Sequence, residues 1–187
     1  MTTKPTPIRT AEITALLLSS TLTGLSLSYS TTLTPRLLES PIPIMLTQWT
    51  HAFAQGKKYM PPPAIAAGAA YMYLATRRGL ANSRMYAYIA AAVLTVGIVP
   101  YTFGVMGRVN RMLEGRERTV RKLELELEGG EGVVVTAEER KGLEEEGAWV
   151  KGEVEGSRYL VDRWGMLNLG RAVMLGVGAV VGFVATI

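Results

Sequence analysis

Apolar residues run along this chain in four blocks separated by polar punctuation. The first covers 13–33, close to the twenty or so residues a helix needs to cross a hydrocarbon core of roughly 30 Å. The second, 61–76, opens on Pro61, Pro62 and Pro63 and is short; its Tyr71 and Tyr73 suit either an interface or an inward-facing position. The third, 85–106, contains Pro100, which frees the Val96 carbonyl and predicts a kinked helix. The fourth runs over 164–187. Small residues recur every four positions in three of the blocks: Ser20, Gly24 and Ser28, then Ala66 and Ala70, then Gly178 and Gly182. In lipid that spacing lets helix backbones approach closely. The expected fold class is all-α, an integral membrane four-helix bundle built as one domain over 1–187.

Between the third and fourth blocks the composition changes. Residues 108–162 are dense in Arg, Lys and Glu. Val120, Leu123 and Leu127 fall at helical spacing, so 114–128 reads as an amphipathic helix that ends at Gly129-Gly130-Glu131-Gly132. Val133-Val134-Val135 is too brief to assign as a strand, and Thr136 with Glu139 matches a capping box opening a second charged helix. A charge run of this kind is expected to be a solvated helical insert between the third and fourth spans.

Composition narrows the class. The chain is 48% hydrophobic with 7% aromatics, the excess being Ala, Leu, Val and Gly in blocks, as in membrane helices. The net charge of +4 is not gathered into one basic stripe, which argues against nucleic acid as a partner. With no cysteine there is no disulfide framework, thiol nucleophile or Cys-based metal site. Lys4 and Arg9 ahead of an apolar run mimic a signal peptide, but the run continues to Leu33 without a cleavage site, as an uncleaved anchor would. Four spans put both termini on one side. The basic residues Arg108, Arg111, Arg116 and Arg118, with Arg36, Lys57 and Lys58, lean toward a cytoplasmic third loop. The expected surroundings are a lipid bilayer, in the endoplasmic reticulum or another endomembrane, and self-association into a homo-oligomer is left open.

Arg171 is the only charged residue in the four expected spans. Trp164, Asn168 and Arg171 are spaced by four and three, which places them on one helical stripe. A cation at the centre of a membrane helix costs roughly 2.5–3.5 kcal/mol on insertion scales, so it normally faces a bundle interior and carries function. The plain alternatives are snorkelling for Arg171, interhelical hydrogen bonding for Asn168 and an interfacial anchor for Trp164. Asn110, ten residues beyond Pro100, either caps the third helix or points at a ligand. His51, the one histidine, lies near Trp49 and is a base by its chemistry, although a lone His in a polar loop is ordinarily a surface residue. Lys57 and Tyr71 compete with it as the base. The spans hold no Asp or Glu, so the ligands of a di-iron centre are missing, and Met and Tyr at helical spacing are more often core than haem ligands. No metal site is expected.

Several short motifs follow one another in order: Thr34-Pro35-Arg36-Leu37-Leu38, Gln48-Trp49, Gly56-Lys57, Pro61 to Pro63, Pro100-Tyr101-Thr102, Val109-Asn110-Arg111-Met112-Leu113 and Trp164-Gly165-Met166-Leu167-Asn168-Leu169-Gly170-Arg171. The ordered set resembles the anthrone oxygenase-like family (DUF1772), small four-span membrane proteins of fungal polyketide clusters and bacteria, over nearly the whole chain. The charged insert also resembles the fungal members. The resemblance implies oxidation of an anthrone-type aromatic polyketide to an anthraquinone with molecular oxygen as co-substrate and without flavin, haem or metal. On that reading Arg171 and Asn168 donate to the carbonyl oxygen that becomes an oxyanion, with Asn110 and His51 as further catalytic candidates. Trp164, Tyr71, Trp49 and Pro100 would shape the site for a flat substrate. The alternative is a non-catalytic membrane scaffold or lipid-binding bundle of the same fold, since fold does not fix function. The two readings differ on one structural point: a catalyst needs a closed, polar-tipped pocket among the helices reached by Asn168 and Arg171, whereas a scaffold can fill that space with side chains.

Overall fold

The computed structural model describes residues 5–78, 82–128 and 137–187, with side chains at 5–78, 82–121 and 156–187. All regular structure among the described residues is helical. Helix α1 (Thr6–Ser28) passes through a wide π-helical turn (Tyr29–Leu33) into α2 (Thr34–Glu39). The cause of the widening is Pro35, which has no N–H to give to the Thr31 carbonyl and whose ring would collide with it. The chain instead closes a wider loop, with the Thr34 N–H reaching back to the Tyr29 carbonyl and the Thr34 hydroxyl donating to the same oxygen at 2.7 Å.

Helix α3 (Ile42–Tyr59) and α4 (Pro61–Thr76) follow, the latter opening on three prolines whose missing N–H groups fall where a first turn has no partners to give them. Asn82 caps α5 (Ser83–Val96), its side-chain oxygen accepting from the Arg84 N–H at 2.9 Å. The kink expected from Pro100 is present as a break: α5 stops at Val96, Gly97 intervenes, and α6 (Ile98–Gly104) sets off afresh. Helices α7 (Gly107–Glu128) and α8 (Ala137–Thr186) complete the chain.

Among the described residues, three helical stretches are long and apolar enough to cross a membrane: Thr6–Glu39, Ser83–Gly104 and Gly156–Thr186. Helix α4, at 16 residues, is shorter than a full span. It lies between α1 and α5, and α8 closes the circuit by packing on both of those helices. The outer face of α8 is apolar as well as the inner one. Val173, Val177, Val180, Phe183 and Val184 are exposed while Leu175, Ala179 and Ala185 are buried. A helix apolar on both faces belongs in lipid or in the core of a large protein.

The packing faces differ from those the small-residue spacing suggested. Ser20, Gly24 and Ser28 are exposed, and α1 instead buries Glu12, Ala15, Ser19, Leu22 and Ser26. On α4, Ala66 is exposed and Ala70 half-buried, and Ala64, Ala67, Gly68 and Tyr71 face inward. The stripe on α8 does pack: a Cβ at Gly182 would stand 2.4 Å from the Tyr71 ring, and one at Gly178 3.2 Å from Leu94. Small residues are tolerated against lipid as well as against a helix, so their spacing marks a face without choosing it.

The segment between the first two expected spans, and the helical insert expected to be solvated, both pack on the rest of the chain. Residues 34–59 form α2 and α3, and Leu37, Met45, Leu46 and Trp49 are core. From the charged stretch, Val109, Leu113, Val120, Leu160 and Val161 join that same cluster, and Arg116 Nη1 donates to Ser157 Oγ at 3.1 Å. Arg158 of α8 donates to the carbonyls of Leu38 and Ser40, satisfying the open end of α2. Gly129 to Gly132, Val133 to Val135 and Thr136 lie outside the described residues.

Candidate functional site

The helix breaks create the site. The π-helical turn presents Tyr29, the Gly97 break redirects α6, and α3, α6, α7 and α8 then enclose a cavity of about 180 Å³. A void of roughly 150 Å³ can take up benzene; this one is only slightly larger and opens on one side, so one ring fits within it and a wider plane would project through the opening. Its apolar lining comes from Phe53 on α3, Met60 and Pro61 at the α3–α4 junction, and Ile98, Val99 and Phe103 on α6. Its polar lining comes from Tyr29, Lys57, Thr102, Asn110, Arg111 and Glu114, with Trp164 and Arg171 from α8.

Arg171 is 7% exposed and has no carboxylate partner among the described residues. Its Nη1 donates to Asn168 Oδ1 at 3.2 Å, and its Nη2 lies 2.9 Å from Met60 Sδ, a weak acceptor. Its Nε–H has no partner. Six buried side-chain polar atoms among the described residues lack a hydrogen bond, and three belong to residues lining this cavity: Arg171 Nε, Trp164 Nε1 and Asn110 Oδ1. Leaving a buried polar group unpaired costs about 1–3 kcal/mol. All three residues line the cavity, but the unpaired atoms themselves are buried behind its surface, so a ligand would reach them only if these side chains reorient.

Asn168 stands behind that arrangement. It is fully buried, its Nδ2 donates to the Trp164 carbonyl at 2.9 Å, and its Oδ1 holds Arg171. It does not line the cavity, so it fixes the guanidinium in place. Trp164 is 2% exposed, stacks on Tyr29 at 5.9 Å and meets Trp49 edge-on at 6.1 Å, so its indole packs inside the bundle. Trp49 is fully buried and supports the wall from behind, stacked on Phe53 at 5.1 Å. Close approach at α8 needs Gly170, where a Cβ would stand 2.5 Å from the Tyr101 hydroxyl that donates to the Leu167 carbonyl.

The other sequence candidates lie elsewhere. His51 is on the exposed side of α3 and does not line the cavity. Tyr71 is buried in a separate cluster with Tyr88, its hydroxyl 3.0 Å from Ser19 Oγ. Pro100 does not touch the cavity but accounts for the break that brings α6 to it. Sequence reasoning missed Tyr29, Met60, Arg111 and Glu114. Pro35 carried a signal for Tyr29, through the wide turn it enforces. Arg111 and Glu114 sit in a charge-dense stretch where nothing sets them apart. Glu12, one residue ahead of the first expected span, was also missed: it is 7% exposed and accepts from the Tyr88 hydroxyl at 3.4 Å, with Arg78 Nη2 at 3.9 Å.

Among the described residues no group of three or more His, Cys, Asp or Glu could hold a metal ion. No solved structure matches the chain significantly. The family model for anthrone oxygenases matches residues 49–181, which takes in Asn110, Trp164 and Arg171. An anthrone oxygenase from Aspergillus novofumigatus is 30% identical over 93% of this chain and 91% of its own length. An anthrone oxygenase from Emericella nidulans is 29% identical over 94% of this chain and 96% of its own. A noranthrone monooxygenase from Aspergillus flavus is 30% identical over 91% of this chain and 70% of its own.

Proposed function

Because this chain belongs to the anthrone oxygenase family, we propose that it oxidises an anthrone-type polyketide to an anthraquinone with molecular oxygen, within a four-helix membrane bundle and without a cofactor. The observation that carries the reading is the cavity lined by Arg171, Trp164 and Asn110, each of which keeps a buried side-chain polar atom unpaired. A scaffold would be expected to fill such a space or pair those atoms. The four-span arrangement is supported by the packing of α4 between α1 and α5, which shields a helix too short to span alone.

An anthrone carries a methylene between two aromatic rings, opposite a ketone. Removing one of its C–H protons leaves the electron pair delocalised onto the ketone oxygen, and Arg171 is the donor for that oxyanion. In a dry site such a donor contributes about 3–4 kcal/mol. Glu114 is the one carboxylate lining the cavity and is proposed as the base, in place of His51. The anion gives one electron to oxygen, and the radical pair joins through a new C–O bond as a peroxide anion, which takes the first proton back from Glu114 to become a hydroperoxide. Cleavage of the O–O bond with loss of the second C–H proton gives the quinone C=O and water. One oxygen atom thus ends in the quinone and the other in water, together with both methylene hydrogens. Phe53, Trp164 and Tyr29 supply aromatic faces for the flat substrate.

The test is turnover of a hydroxyanthrone by the purified protein in lipid under isotopically heavy oxygen gas. The expected result is quinone formation above spontaneous air oxidation, with one heavy atom per quinone. If no hydroxyanthrone is oxidised above background, the non-catalytic alternative holds.

A further inference from the structure

A second cavity, of about 290 Å³, opens between α7 and α8, away from the residues of the proposed active site. Its walls are apolar, formed by Val109, Met112, Leu160 and Leu167, and its charged residues are Arg108 and Arg163. Both arginines are exposed, and neither has a carboxylate within ion-pair distance among the described residues. Arg163 Nη1 donates to the Tyr159 hydroxyl at 3.3 Å, which leaves the other edge of the guanidinium open.

The position of this groove selects its ligand. Arg108 follows the apolar stretch Ser83–Gly104 by one helical turn, and Arg163 immediately precedes the apolar run that begins at Trp164. The two cations therefore mark the level at which membrane-facing surface gives way to water. Just inside that level, Phe103 and Met166 are 66% and 65% exposed, a surface suited to acyl chains. A soluble anion would use the arginines and leave the apolar walls idle. An acidic peptide would likewise find no counterpart in them.

We infer that the α7–α8 groove binds an anionic phospholipid, with its phosphate on Arg108 and Arg163 and an acyl chain against Val105 and Leu167, the lining residues on the membrane side of those cations. The planar guanidinium fork suits a phosphate group in two-point contact, and basic pockets at membrane-helix ends take such headgroups. The inference rests on the membrane placement proposed above but not on the oxygenase reaction.

The experiment reconstitutes the protein in phosphatidylcholine vesicles containing a minor share of phosphatidylinositol, releases it in mild detergent and counts retained lipids by native mass spectrometry. Two arginines at the surface should enrich phosphatidylinositol about thirtyfold over its share in the vesicle. R108Q/R163Q should abolish the enrichment, R108K/R163K should keep most of it, and R9Q, at the far end of α1, should leave it unchanged. A soluble short-chain phosphatidylinositol should compete, whereas inorganic phosphate and polyglutamate should not. Unchanged enrichment in R108Q/R163Q, an equal loss in R9Q, or competition by inorganic phosphate or polyglutamate as effective as by the short-chain lipid would each overturn the inference. A protein that fails to enter the vesicles would instead overturn the membrane placement itself.

Discussion

Replacing Arg171 by Met separates a catalytic role from a structural one. Arg171→Met keeps the length and bulk of the side chain and removes a charge that is 7% exposed and unpaired by any described carboxylate. The structure allows its effect on stability to be bounded. The change leaves Asn168 Oδ1 without the donor now at 3.2 Å, a loss of about 1–3 kcal/mol for a buried acceptor. Against this, it relieves the cost of holding a cation in an apolar bundle, roughly 2.5–3.5 kcal/mol on insertion scales. The two nearly cancel, so the variant should assemble, with a melting temperature within a few degrees of the native protein. Its activity should not survive. If the guanidinium stabilises the oxyanion, kcat for an anthrone such as emodin anthrone should fall by about a hundredfold to a thousandfold. Arg171→Lys should recover only part of this, because a compact ammonium cannot keep its place on Asn168 and reach the substrate as the fork does. The assay follows quinone absorbance in reconstituted lipid, corrected for spontaneous oxidation. A well-folded Met variant turning over at the native rate would refute the reasoning, and Arg171 would then be a packing residue.

Further outcomes follow from other parts of the molecule. Glu114→Gln should lower kcat by about a hundredfold or more, as loss of a general base does, while substrate binding persists; a native rate in that variant would return the proton transfer to Lys57, the earlier candidate that lines the cavity. Asn168→Ala should lower kcat by a smaller factor than Arg171→Met, and the double variant should be little worse than Arg171→Met alone, because Asn168 acts through Arg171; additive losses would show an independent role. Gly182→Val should destabilise the fold by about 1–3 kcal/mol or more, read as a drop in melting temperature, since even a Cβ there would overlap the Tyr71 ring. The chain has no cysteine, so Arg9→Cys and Arg118→Cys each place a single thiol at an exposed position. In the proposed four-span bundle an impermeant thiol reagent labels the two from opposite sides of a sealed vesicle, and labelling from the same side would contradict that topology.

The sequence by itself determined what depends on neighbours along the chain. Apolar runs of span length marked the three membrane-length helices, and the spacing of Trp164, Asn168 and Arg171 put them on one stripe of α8 because helical periodicity is local. Pro100 announced the break at Gly97 because a missing N–H acts within one turn. Only the tertiary structure decided what meets that stripe. Asn110 and Glu114 reach the cavity because α7 packs on α3 and α8, and Tyr29 reaches it because the wide turn before Pro35 rotates it there. The same distance dependence explains the displaced candidates. His51 and Tyr71 carry the right chemistry, but whether a side chain faces a cavity, solvent or another helix depends on crossings between segments distant along the chain, as where Tyr71 meets Ser19 of α1. Those crossings are set by summed packing over whole faces, which no short motif encodes.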